Sequence, residues 1–400
     1  MPLRPPAGFI SAFYDPLKNP NAPTIGTASP DDQAAAVAFT APSNVGGSAI
    51  SSYTAISTPG AFTGSAASSP VTVTGLTNGT AYTFVVWATN SYGPSAYSAA
   101  SGSVTPAAPR GIYGGGNTDG AGNTYINVIQ YITITTTGDS TDFGDLTVGR
   151  RRVGACASAS RGVFAGGQTS GGDTNVMDYI TISTIGNATD FGDLALGINS
   201  ISGCASSTRG LFAGGGYASI SYITIASTGD SSFFGNLSAS LSNMGACASP
   251  TRGLFAGGGS LTNVINYVTI ATTGNSSDFG DLTVARQSLA GCSSSTRGVF
   301  GGGSDASDYT NIIDYVTIAS TGNATDFGDL TLARIQLAAC SSNTRGCWGG
   351  GSDAGFRNVI DYVTIASAGN ATDFGDLANI TGFSGCDKLA GCSNASGGVQ

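Results

Sequence analysis

From Arg110 onward the chain repeats one pattern of apolar and polar positions. In the stretch that shows it best, Arg252-Gly-Leu-Phe-Ala-Gly-Gly-Gly259 is a short apolar run ending in glycines. Asn263 to Thr273 then alternates β-branched with polar residues, the period of a strand with one buried face. Asp278-Phe-Gly-Asp-Leu282 reads as a short edge strand or turn, and Gln287 to Ser293 as a small-residue strand leading into the next Arg-Gly. Units of this kind open at Arg110, Arg161, Arg209, Arg252, Arg297 and Arg345, with spacings of 51, 48, 43, 45 and 48 residues.

Repeats of four short strands at this period are the signature of β-propeller blades. The spacing inside the unit is tight. Ten residues separate Leu146 from Cys156, Leu194 from Cys204, Leu237 from Cys247, Leu282 from Cys292 and Leu330 from Cys340. The last unit departs: Leu377 plus ten falls on Asp387, and Leu389-Ala-Gly-Cys392 fits the pattern after a five-residue insertion. Because the array opens on an Arg-Gly strand, the final Cys strand, about 389–393, has no unit of its own. It is predicted to complete the first one and remove an open sheet edge.

On these residues the array resembles the kelch-type repeat. The glycine pair after an apolar strand matches (Gly214, Gly257, Gly301), as does the Tyr of the following strand (Tyr131, Tyr179, Tyr222, Tyr267, Tyr315, Tyr362). Phe143, Phe191, Phe234, Phe279, Phe327 and Phe374 stand where that repeat has Trp, and Arg286 and Arg334 fall near its Arg. The resemblance implies a six-bladed, kelch-like propeller over 108–400.

Residues 21–107 resemble a fibronectin type III domain. Leu76-Thr-Asn-Gly-Thr-Ala-Tyr82 looks like that family's tyrosine-corner segment, followed by alternating Phe84, Val86 and Ala88. Gly46, Gly47 and Tyr53 match the buried Tyr after a Gly-rich turn, and Val104-Thr-Pro106 the ending. The family's early core Trp is absent, with Phe39 expected in its place. A β-sandwich follows from these signals. Residues 1–20 form a Pro-containing lead, expected to dock the protein on a larger particle.

Composition agrees with an all-β chain. There are no Glu and only two Lys, Lys18 and Lys388, so the best helix-surface residues are missing. Hydrophobic residues at 40% supply a core despite 61 Gly. The net charge of −9, with the Arg residues spread along the repeats, argues against a nucleic-acid partner. No apolar run approaches the ~18 residues of a membrane span, and the N-terminus lacks the apolar core of a secretory signal.

Repetition also decides how the candidate chemistry is read. Asp-Phe-Gly recurs at Asp142, Asp190, Asp278, Asp326 and Asp373, and with no His in the chain a kinase reading fails. The expected role is a turn in which Asp bonds local backbone, Phe enters the core and Gly takes an unusual dihedral. The glycine runs lack the helix and Lys of a phosphate loop, which leaves close backbone packing. The eight Cys are expected to be buried free thiols: six (Cys156, Cys204, Cys247, Cys292, Cys340 and Cys392) at one equivalent position per unit, Cys347 in place of a core aliphatic, and only Cys386 and Cys392 open to pairing. The repeated Arg of Arg-Gly could read an anion, but a salt bridge to an Asp of the Asp-Phe-Gly-Asp-Leu motif is favoured. Asp305, Asp308 and Asp353 lie in loops where Ca²⁺ binding is conceivable and solvation favoured. No metal, cofactor or catalytic residue is assigned: without His, Glu or a well-placed Lys no nucleophile–base pair can be assembled.

The informative variation lies in the loops 117–125, 168–174, 304–310 and 352–357, which differ in length and sequence. Candidate ligand-binding residues there and in the short third unit are Tyr125, Tyr217, Asp305, Asp308, Tyr309, Phe356 and Arg357. The whole arrangement, with units such as Thr321-Gly-Asn-Ala-Thr-Asp-Phe-Gly-Asp-Leu330, is similar to structural proteins of tailed, marine-type bacteriophages. That resemblance implies a virion component made in the host cytoplasm. Its partners would be other virion proteins, through the lead and the fibronectin-like module, and a host-surface glycan or protein. A tail fibre or surface appendage is expected first, a capsid, neck or tail decoration second, a carbohydrate-active enzyme with an acid in the axial channel third, and a cellular adhesin fourth.

Overall fold

The computed structural model describes residues 17–118, 124–379 and 385–394. Most of the lead segment, the middle of the 117–125 loop and the insertion of the last unit lie outside these residues. Among the described residues the chain is all β, with no helix. It divides into two units, Met1–Ala108 and Pro109–Gln400.

The first unit holds two antiparallel sheets. One orders the strands Thr24–Asp31, Ala34–Thr40 and Val71–Thr74; the other orders Thr63–Ala66, Ser52–Thr58, Thr83–Asn90 and Gly93–Pro94. The strict alternation of Thr83–Asn90 buries Phe84, Val86 and Ala88, against Val37, Ala55 and Val73. Tyr82 is buried and its hydroxyl accepts from the Thr77 amide at 3.1 Å. Phe39 is buried with its ring 4.5 Å from that of Tyr53. Beyond Pro94 a serine every third residue replaces a regular strand. The Oγ atoms of Ser95, Ser98 and Ser101 accept from the amides of Ala88, Val86 and Phe84 at 2.9–3.0 Å. The amides of the same serines donate back to the same three residues at 2.8 Å. Side chain and backbone together thus satisfy an edge that a period-2 reading does not foresee.

Among its described residues the second unit contains six four-stranded antiparallel sheets and one two-stranded ribbon. Sheet two is typical: Gly154–Ala157, Arg161–Ala165, Val176–Thr181 and Thr189–Asp193, in sequence order. Each sheet therefore begins with the Cys strand that precedes its Arg-Gly. Sheet one takes its Cys strand from the far end of the chain: Ala390–Ser393 pairs antiparallel with Arg110–Gly114, as the register predicted. The Tyr strand is shorter than its pattern, Val264–Thr269 rather than 263–273 in sheet four, because the chain turns as Ile270 donates to the Thr251 carbonyl.

Three features repeated in sequence are explained by contacts between sheets. The first is Arg-Gly with Cys. A Cβ on Gly111, Gly162, Gly210, Gly253, Gly298 or Gly346 would stand 2.3–3.0 Å from the Sγ of Cys340, Cys392, Cys156, Cys204, Cys247 or Cys292, each in the preceding sheet. Only Gly leaves room there, and all eight Cys are buried and free, Cys386 and Cys392 included.

The second is the Gly-Asn or Gly-Asp turn with Asp-Phe-Gly-Asp. The amide of Gly186 donates to the Phe143 carbonyl at 2.9 Å, and Asn187 Oδ1 accepts from the Asp145 amide at 3.1 Å. The same pair of bonds links every sheet to the next, and Gly138 with Asp139 bonds Phe374 and Asp376 of sheet six. Gly144 has φ +143°, and a Cβ on it would stand 2.6 Å from the Gly186 carbonyl oxygen, so the turn covers the outer edge of its neighbour. Phe143 and its counterparts are buried by a bulge in that outer strand. The opening aspartates are exposed, however, and the backbone-capping role expected of them belongs to the Asn or Asp of the adjoining sheet.

The third corrects the Arg reading. No described ion pair joins an Arg-Gly arginine to an Asp. Each guanidinium instead lies 4.2–4.9 Å from the ring of the Tyr diagonally across the strand pair. Behind it the Tyr and Phe rings meet edge to face, with centroids 5.8–6.1 Å apart. The Arg Nη1 donates to an Ile carbonyl of the next sheet, from Arg110 to Ile182 (2.9 Å) through to Arg345 and Ile134 (3.2 Å). The Asp cannot compete because it stands on the outer strand in solvent.

Candidate functional site

At the end of the sheets where the Arg-Gly strands run into glycine, six segments enter the Cys strands through one residue each in the left-handed region. These are Arg152, Ser200, Asn243, Ser288, Gln336 and Lys388, with φ between 53° and 59°. Their backbones form a closed cycle. Ser200 donates to Arg152, Asn243 to Ser200, Ser288 to Asn243, Gln336 to Ser288, Lys388 to Gln336 and Arg152 to Lys388, at 2.7–3.2 Å. All six line one cavity of about 110 Å³, and none of the described residues lining it is Asp or Glu. The acid that a glycosidase reading requires is therefore not among them.

The variable loops join the same end. Isolated bridges pair Asn117 with Asp387, Arg151 with Gln168, Gln287 with Ser304 and Ile335 with Ser352, so each loop starts beside the residue just before a cavity residue. Ser304 with Tyr309 and Ser352 with Phe356 close two of the loops into narrow hairpins, and Asn117 bridges to Tyr125. The Gln168–Thr169 and Gly172–Asp173 ribbon is the counterpart in sheet two. The glycines before them pack as expected: a Cβ on Gly115 would stand 2.6 Å from the Arg150 carbonyl oxygen.

The candidate residues are thus spread over sheets one, three, five and six rather than gathered in one cluster. Tyr217 and Tyr309 are exposed, at 48% and 40%. Tyr125 is half-buried beneath the Arg151 guanidinium, 5.0 Å from its ring centroid. Phe356 is half-buried. Arg357 is committed to its own loop, with Nε and Nη2 donating to Asp353 Oδ1 and Oδ2 at 2.9 and 2.7 Å. That pairing holds the Asp353 carboxyl below its ordinary range. Asp305 Oδ1 accepts from the amides of Asp308 and Ser307, which lowers its pKa in the same way. Asp308 caps the Tyr309 amide at 2.8 Å. Both acids brace the turn, and among the described residues no group of three or more His, Cys, Asp or Glu is placed to hold a metal ion.

Two sets of residues escaped the sequence reading. One is the left-handed cycle around the cavity. The other is a set of buried ion pairs: Arg150 with Asp178 (2.7 Å), Arg286 with Asp314 (2.8 Å) and Arg334 with Asp361 (2.9 Å), all with fully buried side chains. Each Arg also donates to two backbone carbonyls, Val176 and Phe164 for Arg150. Aligning the repeats reveals the signal. Where Arg is replaced by Ile198, Leu241 or Cys386, the acid is replaced by Ser221, Asn266 or Gln130. Charge enters these positions only as a pair.

Comparison with protein-family models and with curated proteins finds no match for this chain.

Proposed function

We propose that this is a structural protein of a tailed-bacteriophage virion. It would be a tail-fibre or surface-appendage component in which a fibronectin type III-like sandwich carries a six-bladed, kelch-like propeller that adheres to the host surface. The backbone cycle through Arg152, Ser200, Asn243, Ser288, Gln336 and Lys388 supports the propeller reading. So does the return of Arg345 to Ile134 and of Ala390–Ser393 to Arg110–Gly114. The three-plus-four strand order and the Tyr82 corner support the sandwich reading.

The observation that carries adhesion is the convergence of variation. The segments that differ between repeats join one end of a scaffold whose repeated parts are used in sheet-to-sheet contacts, and the cavity lies at the same end. Recognition belongs on variable loops held by a rigid frame. The virion assignment draws on the resemblance of the repeat units to phage structural proteins. Immunogold electron microscopy of phage particles, with antibody against residues 108–400, tests it. Label at fibre tips or the tail end supports host recognition. Label over head or neck supports decoration instead, and particles without label overturn the virion assignment.

A further inference from the structure

We infer that the cavity mouth bounded by Arg152 and Lys388 is a binding site for an acidic saccharide, whose carboxylate or sulfate oxygens meet the two cations while its hydroxyls meet the neutral side chains around them. The inference deepens the adhesion reading and rests on it. Six equivalent positions line this cavity, one per sheet, and four of them are neutral hydrogen-bonding residues: Ser200, Asn243, Ser288 and Gln336. The two cations are neighbours in the cycle, the Arg152 amide donating to the Lys388 carbonyl at 2.7 Å. A sixfold scaffold thus carries a one-sided charge, which its own architecture does not demand.

Most basic residues of the array are otherwise employed. Six stack on Tyr and tie sheets together, three are buried against Asp, and Arg357 is clamped by Asp353. Lys388, the one Lys of the array, lies 3.2 Å from Asp387. Arg152 differs: no described carboxylate reaches salt-bridge distance, and its Nε is buried without a hydrogen-bond partner. Burial, and next the adjacent Arg151, push its guanidinium below the ordinary arginine value, a shift that the more distant Asp387 and Asp173 carboxylates offset only in part, so an anion arriving there relieves the remaining cost. A fixed cation in a chain of net charge −9 also localises attraction at this mouth. At about 110 Å³ the cavity is smaller than the ~300–1,000 Å³ pockets that enclose whole drug-sized ligands. It suits one residue of a polymer that continues outside, past the Tyr125 loop.

The test uses the whole chain and titrates oligogalacturonate, sulfated dextran oligomers and neutral dextran by calorimetry. Two variants borrow residues from the same position in other sheets: Arg152→Ser, as at Ser200, and Lys388→Gln, as at Gln336. Saturable binding of one or both acidic oligomers is expected, with neutral dextran silent. Affinity should fall about tenfold for each cation removed. Preference between the two acidic oligomers separates carboxylate from sulfate recognition. Arg152→Ser breaks no described ion pair, so it keeps the test interpretable if Lys388→Gln, which takes the ion-pair partner from the buried Asp387 and leaves it the Ser352 hydroxyl, unfolds. Equal binding by wild type and Arg152→Ser, or no acidic oligomer bound by wild type, overturns the site. Adsorption of the wild-type chain to host cells in the same buffer is read in parallel. If it persists, the adhesion reading survives the loss of this site; if it too is absent, both fall.

Discussion

Arg150 Nη2 stands 2.7 Å from Asp178 Oδ2 with both side chains fully buried, and this pair exists only in the three sheets where both charges are present. Removing one partner strands the other in the interior, at a cost of about 3–5 kcal/mol, whereas replacing both by a well-packed neutral pair is close to neutral. Asp178→Ser is therefore expected to lower the denaturant midpoint strongly. Arg150→Ile with Asp178→Ser, the combination that sheet three carries as Ile198 and Ser221, should recover most of the loss. Chemical denaturation of the three variants measures it; equal loss in the single and the double variant would contradict the pairing.

Gly210 and Cys156 share one space, since a Cβ on Gly210 would meet Cys156 Sγ at 2.4 Å. Gly210→Ala should destabilise by about 1–3 kcal/mol through overpacking. Adding Cys156→Ala should restore part of that, because the sulfur is the obstruction. Thermal unfolding of the two single variants and the double variant gives the coupling energy, which is expected to be clearly non-zero.

Deleting residues 389–400 removes the strand that pairs with Arg110–Gly114. The unpaired edge and the lost burial of Leu389 and Cys392 predict a lower melting temperature and concentration-dependent association. Calorimetry and gel filtration across a concentration series read both effects; an unchanged melting temperature would refute the closing role of this strand.

Burial pushes the Cys204 and Cys386 thiols up to about 12 from an ordinary 9.0. The folded state therefore keeps its protons where the unfolded chain has lost them. Stability from these groups is intact below pH 9.0 and declines as pH rises toward about 12. The expected result is a denaturant midpoint that falls above pH 9.0, together with thiols unreactive toward a disulfide reagent at pH 8 until the protein is denatured. Rapid labelling of the native protein at pH 8 would show that the thiols are not buried as described.

Strand positions, repeat boundaries, the pairing of the last Cys strand with the first sheet and the burial of the thiols were legible in the sequence. They follow from period-2 alternation and from register, which are local properties repeated often enough to be read. The partners of the repeated Arg were not legible, because whether a guanidinium meets a carboxylate or a Tyr face depends on which strand stands beside it. Nor were the serines at 95, 98 and 101, whose period of three serves an edge known only once the sheet is formed. The Arg150–Asp178 pairing was present in the columns of the repeat but becomes interpretable only when both side chains are found in the same interior. The cavity residues Arg152 and Lys388 lie 236 positions apart in the chain. They meet because Ala390–Ser393 pairs with Arg110–Gly114 and the Arg152 amide donates to the Lys388 carbonyl, and that is a property of packing between repeats rather than of any repeat alone.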